Sequence, residues 1–125
     1  MDYLRVSLST DQTYNMKDEE LKNFICLTSL ELGYNSSITD DGVRDLTNLT
    51  HLDISFQGSI TCDGLKNLSN LTSINFEANR NETITLKVFD LLPNLSVVHA
   101  RHNQDIFRQL RASNKDRKYK VMLSK

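Results

Sequence analysis

The chain has 125 residues, of which 38% are hydrophobic and 25% charged, and a formal net charge of −1. That length suits one domain, and the composition excludes a disordered polymer. No run reaches the ~18 uninterrupted apolar residues of a membrane span, and the opening Met1-Asp2-Tyr3-Leu4-Arg5-Val6 lacks the basic-then-apolar order of a secretory leader.

In chain order, the first predicted element is Tyr3-Leu4-Arg5-Val6-Ser7-Leu8-Ser9-Thr10-Asp11. It reads as a degenerate copy of a unit that recurs down the chain, with Tyr3 at its first apolar position, Val6 and Leu8 inward, and Asp11 where later copies carry Asn. Met16 to Phe24 then places Leu21 and Phe24 where Val43 and Leu46 stand in the next copy. Residues 1–26 thus form a degenerate N-terminal repeat. Next comes Leu27-Thr28-Ser29-Leu30-Glu31-Leu32-Gly33-Tyr34-Asn35. It recurs as Leu49 to Gln57, Leu71 to Asn79 and Leu95 to Asn103, with starts 22, 22 and 24 residues apart. The second half of the unit recurs too: Ile38-Thr39-Asp40-Asp41-Gly42-Val43 matches Ile60-Thr61-Cys62-Asp63-Gly64-Leu65. Residues 27–94 are the regular repeats. Residues 95–125 hold the last repeat and a C-terminal cap, in which Ile106, Phe107 and Leu110 mark one side of a helix and Val121-Met122-Leu123 a last strand.

Within each unit Leu30-x-Leu32 alternates with period two, which predicts a short strand with its apolar side inward. Ile38, Val43 and Leu46 have the spacing of a short helix or turn, with Thr39 or Asp40 positioned to cap it. Asn35, Asn79 and Asn103 are expected to point inward and bond to backbone groups of the adjacent turn, forming a ladder. Gln57, one methylene longer, is expected to distort it locally.

These units resemble the leucine-rich-repeat family, whose pattern is L-x-x-L-x-L-x-x-N/C. The resemblance implies an α/β solenoid of about six rungs, with a parallel concave sheet and short helices or turns on the convex side. The Ile-Thr-Asp-x-Gly variant is similar to repeats of F-box adaptors and of proteins from amoeba-infecting viruses or intracellular bacteria. That likeness implies a protein-binding module, an adaptor or effector. These residues contain no F-box-like helical segment, so a ubiquitin-ligase role would need another chain.

On such a sheet the outward positions are Arg5, Ser7 and Ser9; Ser29, Glu31 and Gly33; His51, Asp53 and Ser55; Ser73, Asn75 and Glu77; Val97, His99 and Arg101; and Lys120, Met122 and Ser124. Freed from core packing, they are the expected partner surface. Glu31, Asp53 and Glu77 give it an acidic middle, and His99, Arg101 and Lys120 a basic C-terminal side, which suits a partner of complementary gradient. Tyr34 and Phe56 recur just past the strand. They either pack over the neighbouring loop or form a two-ring binding anchor. The proposed partner-binding set is therefore Glu31, Tyr34, His51, Asp53, Phe56, Asn75, Glu77, His99 and Arg101.

No metal and no cofactor is expected. His51 and His99 lie two rungs apart, ~10 Å at ~4.8 Å per strand, too wide for one zinc ion. No Gly-rich phosphate loop, no H-E-x-x-H, no G-x-S-x-G and no Cys–His pair supports catalysis. Cys26 and Cys62 read as free thiols of a reducing compartment. Six Asn-x-Ser/Thr sequons, at Asn35, Asn48, Asn67, Asn70, Asn81 and Asn94, recur because the repeat recurs. A cytoplasmic location, in its own or a host cell, is the resulting expectation. Two further readings stay open. Residues 1–100 hold seven Lys/Arg against fourteen Asp/Glu, whereas residues 101–125 hold eight against two. That basic end fits nucleic acid or an acidic surface. Open sheet edges, notably Val121–Leu123, fit self-association into a weak homodimer, although Lys118, Lys120 and Lys125 oppose it.

Overall fold

In a computed structural model the structure describes residues 2–35, 37–79, 81, 84, 86–112 and 120–122. Six strands form one sheet in chain order: β1 (Ser7–Leu8), β2 (Ser29–Glu31), β3 (His51–Asp53), β4 (Ser73–Asn75), β5 (Val97–His99) and β6 (Lys120–Met122). Every neighbouring pair is parallel. Parallel neighbours need a crossover, and here it is made by short helices. These are α1 (Thr10–Thr13), α2 (Asp18–Leu21), α3 (Asp40–Val43), α4 (Cys62–Leu65), α5 (Leu86–Asp90) and α6 (Gln104–Ala112). This is the α/β leucine-rich-repeat solenoid.

The core is one continuous column of buried side chains, from Leu8 to Leu110. The regular units contribute a recurring inward set. In the second it is Leu27, Leu30, Leu32, Ile38, Val43 and Leu46, all at 0–1% exposure. Burying each such side chain contributes about 1.5–3 kcal/mol, against which the ordering of the backbone must be set. Phe76 and Phe89 fill the wider fourth unit edge to face, with centroids 6.0 Å apart.

The register corrects one expectation. Ser7 pairs with Ser29 and Leu8 with Leu30, the 22-residue step also seen between β2, β3 and β4. The first copy therefore starts two residues later than an alignment from Tyr3 places it. Leu8, not Val6, is the partner of Leu30. Val6 is 58% exposed and Leu4 76%. Thr13, not Asp11, takes the Asn position. It is buried, and its hydroxyl donates to Glu31 O at 2.7 Å. The two-residue slip fits because Val6-x-Leu8 and Leu30-x-Leu32 share a pattern of period two, so periodicity alone cannot fix the register. Arg5 accordingly falls before the strand, and Ser7 and Ser9 take the places of Ser29 and Glu31.

Three hydrogen-bond ladders run along the rungs. Asn35 Nδ2 donates to Thr13 O and Met16 O, while its Oδ1 accepts from the Ser37 and Ile38 amides. Asn79 and Asn103 Nδ2 likewise donate to two carbonyls of the preceding rung. At Gln57 the register continues unbroken. Nε2 reaches Ile38 O at 2.6 Å, and Oε1 accepts from the Ser59 and Ile60 amides. The longer side chain thus spans the turn by reaching one carbonyl instead of two.

A second ladder explains three of the six sequons. Asn48, Asn70 and Asn94 Nδ2 donate to Ile25 O, Thr47 O and Ser69 O. The hydroxyls of Thr50, Thr72 and Ser96 donate to Thr28 O, Thr50 O and Thr72 O. Asn-Leu-Thr is therefore a rung-to-rung fastening with the core leucine at its centre. Cys26 stands where this ladder has Asn, and a thiol offers no amide donor there.

The third ladder explains Ile-Thr-Asp-x-Gly. Asp18 Oδ1 accepts from the Thr39 amide and Oδ2 from the Thr39 hydroxyl. Asp40 accepts from Thr61 in the same two ways. The Thr39 and Thr61 hydroxyls accept in turn from the Asp41 and Asp63 amides, capping α3 and α4. A Cβ at Gly42 or Gly64 would fall on the Asp18 or Asp40 carboxylate. Only glycine lets the carboxylate close over the helix of the next rung.

Candidate partner-binding face

The sheet turns one side to the core and leaves the other open. Ser29, Glu31, His51, Asp53, Ser73, Asn75 and His99 line a shallow depression on the open side. The register brings these residues together: Glu31, Asp53, Asn75 and His99 are successive partners across β2 to β5, as are Ser29, His51, Ser73 and Val97. The third outward column is different. Gly33 is buried, its missing Cβ lying 3.3 Å from Ser55 Oγ, and Ser55 is 7% exposed. Those two positions belong to the packing of the loop rather than to a free surface.

The open face is also not free of structural duty. Asp53 Oδ1 accepts from the Ser55 amide and Asn75 Oδ1 from the Glu77 amide, both at 2.8 Å. Each side chain turns the chain out of its strand. His51 Nδ1 lies 2.8 Å from Thr50 Oγ1, which orients the ring. Glu77 lies 3.8 Å from Arg101, whose Nε also donates to His102 Nε2. The basic side of the face is thus partly neutralised from within. Glu31 is exposed and, among the described residues, has no ion pair.

Beyond the strand ends, Tyr34 and Phe56 stack with centroids 4.5 Å apart and planes 11° from parallel. The rings pack on each other and remain 67% and 44% exposed. Their backbone is unusual: Tyr34, Phe56, Ala78 and His102 all have positive φ, 67°, 58°, 51° and 56°. This left-handed position costs any residue with a Cβ. It is over-determined by cross-rung bonds, such as Phe56 N–H to Glu77 O and Ala78 N–H to Arg101 O. Beside Tyr34, a hollow is lined by Tyr14, Asn15, Lys17 and Ser37. Tyr14 is 66% exposed. Sequence reasoning misses it, because an alignment from Tyr3 assigns this residue no place in the repeat.

The proposed basic surface lies mostly outside the described residues. Within them, Arg108 and Arg111 are exposed on α6. Lys115, Arg117 and Lys118, and the side chain of Lys120, are outside, as is Leu123. Among the described residues no group of three or more His, Cys, Asp or Glu could hold a metal ion, and no helix is long and apolar enough to cross a membrane.

No family model and no curated protein matches the chain. Among solved structures it is similar to one titled as the Toll–Spatzle complex, a molecular hub in Drosophila development and innate immunity. That match has a TM-score of 0.51 and 21% identity over 72% of this chain and 16% of the other. It is also similar to an internalin (inlF) from Listeria monocytogenes str. 4b F2365, with 22% identity over 66% of this chain and 30% of that one and a TM-score of 0.49. The chain spans less than a third of either, and the likeness is one of fold.

Proposed function

We propose that this chain is a non-catalytic protein-binding module that takes a partner protein on the open, concave face of its sheet. The observation that carries the reading is the Tyr34–Phe56 stack, two large rings left in water on a strained backbone at the margin of that face. Exposed aromatic side chains supply contact area at little entropic cost, and they anchor interfaces more often than scattered charges do. Glu31, His51, Asp53, Asn75, Glu77, His99 and Arg101 complete the surface. Asp53 and Asn75 serve both the turn and the partner. The repeat's likeness to adaptor and effector repeats fits a chain that recruits a target in the cytosol, its own or a host's. Cys26 and Cys62 are not joined in a disulfide, which agrees with a reducing compartment.

The test is site-specific photo-crosslinking in cytosolic lysate. A benzophenone side chain is placed at Ser73, on the open face, or at Asp45, on the helical side. The reading expects a protein adduct from position 73 that disappears in the Tyr34→Ala, Phe56→Ala double variant. Adducts formed only from position 45 would sink it.

A further inference from the structure

Resting on that concave-face reading, we infer the chemistry of the partner: an extended protein segment carrying arginine, with a guanidinium seated between Glu31 and Asp53. Glu31 and Asp53 are direct partners across β2 and β3, so their Cα atoms are ~4.8 Å apart. Like charges so placed repel across a sheet. The other charged neighbours on this face answer each other, Glu77 with Arg101 at 3.8 Å. Among the described residues neither Glu31 nor Asp53 has such a partner, so the uncompensated charge of the face is negative at β2 and β3. Asp53 uses Oδ1 on the Ser55 amide, which fixes the carboxylate in place for an incoming donor.

Arginine is selected over lysine by what surrounds the two acids. Its planar fork can donate to two carboxylates at once and can lie against an aromatic ring. Tyr34 and Phe56 stand three residues beyond Glu31 and Asp53 in their own rungs, with rings already stacked and exposed. Around the acids, Ser29, Ser73, Asn75 and the imidazoles of His51 and His99 line the same depression, and no lysine or arginine does. The depression is shallow and crosses several parallel rungs, which suits an extended segment laid over the strands.

Random peptides displayed on phage are selected on the wild-type chain, and synthetic copies are titrated against three variants. Glu31→Gln with Asp53→Asn removes both charges, and the amide oxygen of Asn can still accept from the Ser55 amide. Tyr34→Ala with Phe56→Ala removes the rings. Asp41→Asn with Asp63→Asn changes exposed acids on the helical side. The expected result is enrichment of arginine, binding about tenfold weaker to the charge-neutral variant, and unchanged binding to the helical-side control. Recovery of no peptides, of arginine-poor peptides, or of arginine peptides indifferent to Glu31→Gln with Asp53→Asn overturns the inference. Arginine-poor peptides that are nevertheless lost with the rings would leave the concave-face reading standing. Peptides indifferent to both open-face variants would sink the two together.

Discussion

Asp18, Thr39 and Gly42 form a three-residue device in which each member has a reason only in the presence of the others. The carboxylate accepts two bonds from Thr39 and sits where a side chain on residue 42 would be. Gly42→Ala is expected to lower stability by about 2–3 kcal/mol, because the carboxylate must withdraw and leave the Thr39 amide and hydroxyl unmet. Adding Gly42→Ala to an Asp18→Ala background should cost under about 1 kcal/mol, since the clash with the carboxylate has gone and only the Cα of residue 18, at 3.3 Å, stays close. Urea unfolding of the four proteins gives the cycle, and additive losses would refute the account. Positive φ gives a prediction of opposite sign. Ala78 carries its methyl in the left-handed region, so Ala78→Gly is expected to stabilise by about 0.5–1 kcal/mol, the relief of strain being partly offset by the entropy of glycine. A lower melting temperature for that variant would contradict this. The recurrence of Thr, Asp and Gly is plain in the sequence. Its cause is not, because the Asp of one rung serves the Thr of the next, 21 residues away.

The strand is the element that turns alternation into two faces, and a buried strand residue depends on both neighbours. Leu52 lies between Leu30 and Ile74 and is 3% exposed, whereas Leu4 is 76% exposed. Leu52→Asn is expected to cost about 3–5 kcal/mol, for lost burial plus an unpaired amide. Leu4→Asn should stay within about 0.5 kcal/mol. Equal shifts in thermal melts would refute the contrast. From Leu27 to Leu71 the period and register are readable from 22-residue steps, and the 24-residue step to Leu95 keeps the strand half of the unit recognisable. The first rung is not, since Val6 and Leu8 offer the same alternation two residues apart and no Asn marks its turn. The open-face columns are readable for the same reason as the core, by alternation. Alternation does not reveal that Asp53 and Asn75 also close turns, or that Tyr34 and Phe56 pack on each other. A side chain bonded two residues ahead leaves the pattern of a strand unchanged.

The molecule is a stack whose rungs are joined by backbone bonds throughout and, at particular interfaces, by Asn, Thr and Asp–Thr bonds. Interior rungs therefore have two sets of fastenings and the end rungs one, so opening should proceed from the ends. The N-terminal end is thinly held: β1 spans two residues, and Arg5 N–H reaches Asp2 O at only 3.4 Å. The amides of Thr50, His51 and Ile54, bonded to Thr28 O and Asn75 O across two interfaces, are expected to exchange with deuterium on the order of a hundredfold more slowly than that of Arg5. Uniform protection along the chain would show one cooperative unit and remove the basis for a gradient. The gradient bears on recognition, because Glu31, Asp53 and the Tyr34–Phe56 stack lie on the second and third rungs. Each of these has a folded neighbour on both sides. A face built there is held before the partner arrives, so binding spends little on ordering the receptor. Loosening the third rung with Leu52→Asn should then weaken binding more than the distance of that side chain from the open face would imply, while Leu4→Asn leaves it unchanged.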